Sequence, residues 1–300
     1  MVLKEFAEYI EQHILTGWME DAQASVEAVR KNNGAFYQGL YIRRSKEPAT
    51  PMVYLDDYYH MYRMGRPMED ILEQIREEYQ WAMERVEECL FDLSHYEYIR
   101  DRIIYRLVNF EKNRDMLMEC PHIRLYDLAI TFRWVAYQDS VGISSALITN
   151  EEIGLWNITL HELLLSAERN TRRLFPEKIA GMEDFIEENG GKIVERDCDY
   201  PMYIITNEQQ INGASVILYE GVLQEFAMAN EEDYYILPSS IHEMILIPAH
   251  EITDPPALFD MVREVNNTIV AKDDILSDSV YFYDYRQEKL VPLRRKRTDA

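Results

Sequence analysis

Ser240, His242 and Glu243 are the residues of this sequence that come closest to a catalytic set. They lie within YYILPSSIHEMILI, residues 234–247, the longest apolar run of the chain. A hydroxyl, an imidazole and a carboxylate are the groups with which hydrolases and transferases activate a nucleophile. The sequence therefore allows a small catalytic or binding cluster here. It equally allows a strand end at which the serines make turn hydrogen bonds.

The pattern around these residues predicts a buried strand that is interrupted at Pro238 and resumes up to residue 247. Proline lacks a backbone N–H, so it interrupts a ladder at a bulge or strand end. Side chains alternate along a strand, which would place Ser240 and His242 on one face and Glu243 on the other. Polar groups beside such a strand need partners, because an unmet buried group costs about 1–3 kcal/mol.

Asp127 is a second candidate acid. It lies inside the apolar stretch HIRLYDLAITFRWVAY, for which we predict a strand. Burial would raise the pKa of this carboxyl group unless a cation pairs with it. Asp127 is therefore either a paired structural acid or, with Glu243, a candidate for the acid that orients His242. The G-x-S-x-G turn of the α/β-hydrolases does not occur in the sequence.

Two further pairs of residues are candidates for binding. Tyr58 and Tyr62 fall on one face of a helix predicted from VYLDDYYHMYRMG, where they either hold a flat ligand or pack in the core. Arg263 and Asn266 lie beside the apolar stripe of a helix predicted to begin at Asp254. They would reach Glu243 if that helix packs on the apolar strand.

The sequence predicts no metal site and no cofactor. The 7 histidines do not pair at ligand spacing. His161-Glu162 resembles the start of a metalloprotease motif, but the second histidine is missing because position 165 is leucine. Asp273, Asp274 and Asp278 resemble a magnesium-binding aspartate set only loosely. No Walker loop and no G-x-G-x-x-G is present.

Charge and cysteine usage predict where the protein works. The formal net charge of −23 should repel phosphate backbones and anionic membranes, so we expect neither direct nucleic-acid binding nor membrane binding. The 3 cysteines are widely spaced and form no C-x-x-C, which is typical of a reducing compartment. The first residues lack the apolar core of a signal peptide, and no apolar run reaches transmembrane length. The sequence therefore predicts a cytoplasmic protein.

Helices and antiparallel hairpins alternate along the chain without a repeating βαβ pattern. This order predicts an α+β fold, with a mixed, largely antiparallel sheet covered by helices and a mainly helical N-terminal part. Asn32-Asn33-Gly34 predicts a hairpin turn, and MYIITN and NGASVIL predict two strands. We predict an N-terminal helical part with one hairpin over residues 1–118, the main sheet domain over residues 119–293, and a basic tail over residues 294–300.

Several segments resemble a known family. They are PHIRLYDLAI, LWNITLHELLLSAERNT, NGASVILYEGVLQEFA and YYILPSSIHEMILIP, with YLDDYYHMYRMGRPMEDIL before them. Together they resemble an uncharacterised family from anaerobic Gram-positive bacteria. The order of segments is more distantly similar to the YtpQ-like family of unknown function, in which an Ala–Ser strand and a helix lead to a proline-containing strand. The resemblance covers nearly the whole chain and implies a bacterial cytoplasmic protein. It carries no catalytic residue.

Three hypotheses of function follow. The first is a non-enzymatic protein that binds a protein or a small ligand, because no catalytic set is complete and 21 tyrosines in 300 residues favour recognition surfaces. The alternative is a hydrolase or transferase that uses Ser240 and His242. The second alternative is an acidic mimic of nucleic acid, which would bind a basic DNA-binding partner.

Overall fold

The computed structural model describes residues 1–19, 21–44, 50–88, 93–138, 143–191 and 200–294. The chain divides into two compact units, Met1–Asp92 and Leu93–Ala300. Helices and antiparallel sheets occur in both units, so the predicted α+β class is confirmed. The predicted division at residue 118 stays a prediction. Apart from Arg294, the predicted basic tail lies outside the described residues.

The first unit is a three-stranded antiparallel sheet, in the order β1-β2-β3, with helices on one face. The predicted hairpin is confirmed, because β1 and β2 pair along their full length across Asn32–Gly34. Asn33 and Gly34 both have positive φ, which suits a tight turn. The part predicted to be mainly helical thus combines helices with a sheet. Its described elements are α1 (Leu3–His13), β1 (Ala22–Arg30), β2 (Phe36–Arg44), β3 (Met52–Tyr54), α2 (Asp56–Arg63) and α3 (Met68–Glu88).

Only one face of this sheet is packed against the helices of its own unit. Leu40, Ile42 and Val53 point to that side and are at most 1% exposed. They meet apolar side chains of α1, α2 and α3 in a single core cluster. Strand residues alternate between faces, so the intervening residues of β2, among them Tyr37 and Tyr41, lie on the opposite side. That outer face is left to aromatic and polar side chains.

The second unit contains two antiparallel sheets. One has six strands in the order β13-β12-β10-β11-β9-β8. In the other, the long strand β6 pairs with β4 on one side and with β5 and then β7 on the other. The described elements are α4 (Tyr96–Ile99), β4 (Ile103–Asn109), α5 (Arg114–Glu119), β5 (His122–Leu125), β6 (Leu128–Gln138), β7 (Ile143–Leu147), α6 (Asn150–Trp156), α7 (Leu160–Leu174), β8 (Glu177–Gly181), α8 (Met182–Glu188), β9 (Tyr203–Asn207), α9 (Val222–Asn230), β10 (Tyr234–Pro238), β11 (Met244–Pro248), α10 (Ala257–Thr268), β12 (Tyr281–Asp284) and β13 (Lys289–Pro292).

Two predicted strands have a different structure. The stretch around Asp127 is two strands, β5 and β6, joined by a tight turn at which Tyr126 has a φ of 59°. The segment NGASVIL, predicted as a strand, is a 3-10 helix over Gly213–Leu218. Its backbone packs so closely that a Cβ on Gly213 would lie 2.1 Å from Thr206 Oγ1 and 2.4 Å from the His242 carbonyl oxygen. Only glycine fits there.

The free edge of β4 is closed by two side-chain hydroxyls instead of another strand. The Tyr105 N–H donates to Thr171 Oγ1 at 3.0 Å, and the Leu107 N–H donates to Ser215 Oγ at 3.0 Å. Thr171 belongs to α7 and Ser215 to the 3-10 helix, so these bonds attach both elements to the sheet. They also remove an unpaired strand edge from the interior of the unit.

We predict that Thr171→Val destabilises the protein by about 1–3 kcal/mol, because it leaves the buried Tyr105 N–H without an acceptor. Urea unfolding followed by circular dichroism measures the change. Thr268→Val is the matched control, since the Thr268 hydroxyl also donates to the carbonyl four residues earlier but is exposed. Its effect should stay within about 0.5 kcal/mol. Equal losses in the two variants would show that the β4 edge does not need this hydroxyl.

Candidate functional site

Residues 239–243 are the loop of a hairpin between β10 and β11 rather than part of a strand. Pro238 pairs with Met244, and the loop closes because the Ser239 and Ser240 N–H groups both donate to the Glu243 carbonyl oxygen. The predicted strand from residue 241 and its alternation of faces are therefore wrong for these residues. Pro238 ends a strand, as proline without an N–H does, and the chain reverses before pairing resumes.

The loop brings Ser240 and Glu243 together. Glu243 Oε1 accepts hydrogen bonds from Ser239 Oγ at 3.1 Å and from Ser240 Oγ at 3.0 Å. Ser240 Oγ in turn accepts from the His242 N–H at 2.9 Å, and the Ser240 residue is 7% exposed. These bonds use the Ser240 hydroxyl both as donor and as acceptor. They stabilise the loop.

The His242 ring forms its contacts away from Ser240. Nδ1 lies 3.2 Å from both the Asn212 N–H nitrogen and the Gln210 carbonyl oxygen, and Nε2 lies 3.4 Å from Asp274 Oδ1. A neutral Nδ1 accepts from Asn212, whereas a protonated Nδ1 donates to Gln210. Among the described residues, neither ring nitrogen is hydrogen-bonded to Ser240. The structure thus brings Ser240 and His242 into one loop without joining them as nucleophile and base.

The sequence did not indicate the pair formed by His242 and Asp274, because the two residues belong to different loops. The hydrogen bond with Asp274 raises the pKa of His242 above its ordinary 6.5; burial opposes this effect and the nearby charge of Glu243 adds to it. Both side chains remain about one-third exposed. The imidazole of this pair therefore takes up a proton more readily than an ordinary histidine, and it is accessible to solvent.

We predict that the stabilising effect of Asp274 depends on pH. A raised folded-state pKa means that the His242–Asp274 contact stabilises the protein fully below about pH 6.5 and loses this effect as pH rises through the folded-state value. The difference in unfolding free energy between the wild type and Asp274→Asn should therefore shrink from acidic to alkaline pH. Urea titrations across that range measure it. In a His242→Gln background the same difference should not vary with pH, and variation there would assign the effect to another group.

Asp127 lies half-buried in the turn between β5 and β6, and its hydrogen-bond partners are hydroxyl groups and not a cation. Its carboxylate accepts hydrogen bonds from Tyr281 at 2.7 Å, from Ser279 at 3.0 Å and from Ser277. Burial and the charge of Asp127 raise the pKa of Tyr281 far above its usual range, so the phenol remains a donor. The arrangement fixes the segment before β12 to the four-stranded sheet. These serines and this tyrosine are about 150 residues away from Asp127 in the sequence, so no local pattern indicated them as its partners.

Tyr58 and Tyr62 pack in the core of the first unit. Tyr58 is 4% exposed and its hydroxyl donates to Glu78, while the ring of Tyr62 lies 5.6 Å from that of Phe6. Burial is the main cause that raises the pKa of Tyr58 above its usual range, and the hydrogen bond to Glu78 adds to it. Both rings are therefore used mainly in packing. Their role in ligand binding stays a prediction.

Arg263 and Asn266 do not reach Glu243. The buried face of α10 contains Leu258, Phe259, Val262 and Asn266, whereas Met261 and Ile269, two apolar residues of the predicted stripe, are 40% and 78% exposed. The helix is thus rotated relative to the predicted stripe. Asn266 Nδ2 donates to the Ser277 carbonyl oxygen at 2.9 Å and to Asp278 Oδ1 at 2.8 Å, and Arg263 is exposed.

A surface that the sequence interpretation overlooked covers the outer face of the first sheet. We call the set Lys31, Tyr37, Tyr41, Arg43 and Tyr54 the aromatic face. The rings of Tyr37 and Tyr54 meet edge to face with centroids 5.8 Å apart, and Lys31 Nζ lies 3.5 Å from the centroid of Tyr54. The Arg43 guanidinium lies 5.3 Å from the Tyr41 centroid. The period-two spacing of tyrosine and arginine in FYQGLYIRR would have indicated this face.

Gly39, in the middle of the aromatic face, has no side chain and leaves space for its neighbours. A Cβ at this position would lie 2.6 Å from Met52 Sδ and 2.7 Å from Val29 Cγ2. These two side chains come from the neighbouring strands and close over the glycine. The tyrosine side chains on either side of Gly39 are half-buried. Rings held in this way lose little conformational freedom when they contact a partner.

The described ranges contain neither a cluster of metal-ligating side chains nor a membrane-spanning helix. No group of three or more His, Cys, Asp or Glu side chains there is arranged to hold a metal ion. None of the helices described is both long and apolar enough to cross a membrane.

Fold and site together define an α+β protein of two antiparallel-sheet units whose candidate serine and histidine are held in structural hydrogen bonds. The chain belongs to a family of unknown function, DUF5688, whose family model matches residues 3–285. The membership predicted from the quoted segments, in an uncharacterised family, is thereby confirmed. The more distant similarity to the YtpQ-like family stays a prediction. No curated protein and no solved structure matches the chain.

Proposed function

We propose that this is a non-enzymatic cytoplasmic protein that binds an acidic polypeptide segment through its aromatic face. The observation that carries the proposal is the pairing of cations with tyrosine rings on a sheet face that the helices of its own unit leave uncovered. Tyrosine combines a large apolar ring with a polar hydroxyl and is enriched at protein interfaces. Lysine and arginine beside it supply the charge that selects acidic side chains.

Local charge favours an acidic partner although the whole chain is acidic. Between Asp21 and Arg44 the sequence has the cations Arg30, Lys31, Arg43 and Arg44 against the acids Asp21 and Glu27, in a chain with a net charge of −23, and Asp21 Oδ1 lies 3.7 Å from Arg44 Nε. Ions screen exposed charges beyond about 8 Å at physiological ionic strength, so a short acidic segment experiences mainly the local cations. A long polyphosphate chain would extend past this patch and meet the acidic remainder.

The edge of the sheet offers a way to hold an extended segment. In the described part of the first unit, the nine-residue strand β1 pairs with β2 alone. An edge strand of this length presents backbone groups to which another strand can add. Strand addition would supply the backbone hydrogen bonds. On the outer face, the added strand would lie next to Gln23, Ser25, Glu27 and Val29 of β1, with the tyrosines of β2 one strand further away.

We predict that a synthetic peptide of alternating glutamate and valine binds the protein and that Lys31→Glu weakens binding by about tenfold, or about 1.4 kcal/mol. Fluorescence anisotropy with a labelled peptide measures the affinity. Arg63→Glu is the matched control, because Arg63 is also a cation near a tyrosine ring, 6.0 Å from Tyr59, but lies on α2. It should leave the affinity unchanged.

Two further probes distinguish the kind of partner. A peptide of alternating lysine and valine should bind more weakly than the acidic peptide. Tighter binding of a single-stranded oligouridine probe, lost in Lys31→Glu, would instead assign the face to nucleic acid. The acidic-mimic hypothesis predicts salt-sensitive binding to a basic DNA-binding protein that does not involve Lys31.

The non-enzymatic part of the proposal makes a separate prediction about Ser240. A fluorophosphonate probe labels activated serines, and we expect none at Ser240 because its hydroxyl is buried and donates to a carboxylate. Ser239→Ala and Ser240→Ala should both leave the labelling pattern of the wild type unchanged, as judged by mass spectrometry of the purified chain. Labelling that disappears only in Ser240→Ala would support the hydrolase alternative.

A further inference from the structure

Basic side chains line one face of the four-stranded sheet in the second unit. Arg106 of β4 lies opposite Thr131 of β6, and Thr131 lies opposite His122 of β5, so these three residues form a row across the sheet on the same face. Side chains opposite one another on neighbouring strands are about 5 Å apart at Cβ. Two residues further along their strands, Arg124 and Arg133 point to the same side. The strands contribute no acid to this face: its other members are Ile104, Val108, Ala129, Val135, Ser145 and Leu147.

Three of the four basic side chains have structural contacts. The Arg133 Nε donates to Ser145 Oγ at 2.9 Å. Arg124 Nε donates to the Tyr126 carbonyl oxygen at 2.9 Å, and its guanidinium lies over the ring of Phe110 at 4.1 Å. His122 Nδ1 lies 3.1 Å from the Cys120 carbonyl oxygen. Each of these contacts fixes the orientation of one basic side chain on this face of the sheet.

Arg106 is different. Its Nε is buried and has no hydrogen-bond partner, and no described residue forms an ion pair with its guanidinium. Burial lowers the pKa of Arg106, yet an arginine remains charged at every physiological pH. A desolvated charge without a counter-ion is strongly unfavourable. The fold has therefore placed a permanent cation where its own described side chains do not neutralise it.

Within the described ranges, Cys120 is the titratable group whose charge acts on Arg106, and it does not serve as the counter-ion. It is 2% exposed, and burial raises the pKa of its thiol to about 11, although Arg106 acts in the opposite direction. The thiol is accordingly neutral at physiological pH. Among the residues that the structure describes, none supplies a negative charge to the Arg106 guanidinium.

We propose that Arg106 is the centre of a binding site for a small oxyanion, a carboxylate or a phosphate group. The planar guanidinium matches the two oxygens of such a group in a bidentate pair. The Arg106 residue keeps part of its surface exposed, which gives a ligand access. Thr131 and His122 continue the row beside it. This site lies in the second unit, and its existence does not depend on the proposed role of the aromatic face.

The surroundings indicate a ligand that is small or has an apolar body. On one side along the sheet, Val108 and Ala129 belong to an apolar cluster with Leu117. On the other side, Ile104 and Val135 form a second apolar cluster. Arg106 lies between the two. Apolar neighbours strengthen an ionic hydrogen bond because they exclude water from it.

The test measures anion-dependent stability of the full chain. Sodium phosphate, sodium acetate and sodium chloride are titrated at matched ionic strength, and the melting temperature is followed by scanning fluorimetry. We expect a saturable rise with phosphate or acetate and none with chloride. Arg106→Met should abolish the rise, and its melting temperature without oxyanion should equal or exceed that of the wild type. Arg106→Lys keeps the positive charge but lacks the planar pair of N–H donors, so it should weaken the affinity for the oxyanion about tenfold.

Arg169→Met is the control for a general loss of positive charge, since Arg169 belongs to the same unit but is exposed and paired with Asp101. It should respond to oxyanions as the wild type does. A response confined to phosphate would identify a phosphate-bearing ligand, and a response confined to acetate a carboxylate. The proposal is overturned if neither oxyanion gives a saturable rise, if Arg106→Met retains it, or if Arg169→Met loses it equally. If Arg106→Met does not fold, the oxyanion affinity of Arg106→Lys tests the proposal, and an affinity equal to that of the wild type overturns it.

Discussion

The second unit depends on a segment without regular secondary structure, residues 271–280, that is buried at three positions. Leu276, Ser277 and Val280 are 0% exposed, so the backbone groups at these positions are shielded from water and must find partners in the protein. Asn109 donates to the Leu276 carbonyl oxygen at 2.9 Å, and Asn266 donates to that of Ser277 at 2.9 Å. The four-stranded sheet, α10 and the segment are thereby held together by side-chain amides.

The same requirement explains how the polar candidates are used. The Asp127 carboxylate accepts hydrogen bonds from hydroxyl groups of the segment and of β12. The Ile241 N–H of the hairpin loop donates to the Asp274 carbonyl oxygen at 2.8 Å. His242 then meets the side chain of Asp274. Serine, histidine and aspartate, which in another arrangement perform acyl transfer, here connect loops. Residue type alone does not decide between these uses, because the hydrogen bonds that hold a loop are chemically the same as those that orient a base.

The chain has a formal net charge of −23, and we propose anionic ligands for two of its sheet surfaces. The aromatic face and the row through Arg106 are both sheet surfaces on which alternation collects basic residues that are scattered in the sequence. Over short distances a few cations in a poorly solvated setting outweigh many exposed acids, because ions screen the latter. Net charge therefore describes the solubility of this protein better than it describes its ligands.

Local patterns predicted the elements whose signals lie within a few residues of one another. These include the hairpin at Asn32–Gly34 and the α+β class itself. Predictions failed where the decisive contact comes from far along the chain. The strand predicted to resume at Ile241 begins only at Met244, because residues 239–243 form the loop between β10 and β11. Gly213 opened a predicted strand, whereas the approach of Thr206 and His242 requires a tight helix.

The sequence by itself therefore determined the class of fold, most of the elements and the chemistry available at each position, because propensity, capping and periodicity act over one or two turns. Only the tertiary structure decided which groups meet. It paired His242 with Asp274, supplied Asp127 with hydroxyls instead of a cation, and buried Arg106 Nε without a hydrogen-bond partner among the described residues. The physical reason is that hydrogen bonds and ion pairs depend on distances of about 3 Å, and such distances between remote residues exist only after the chain has packed.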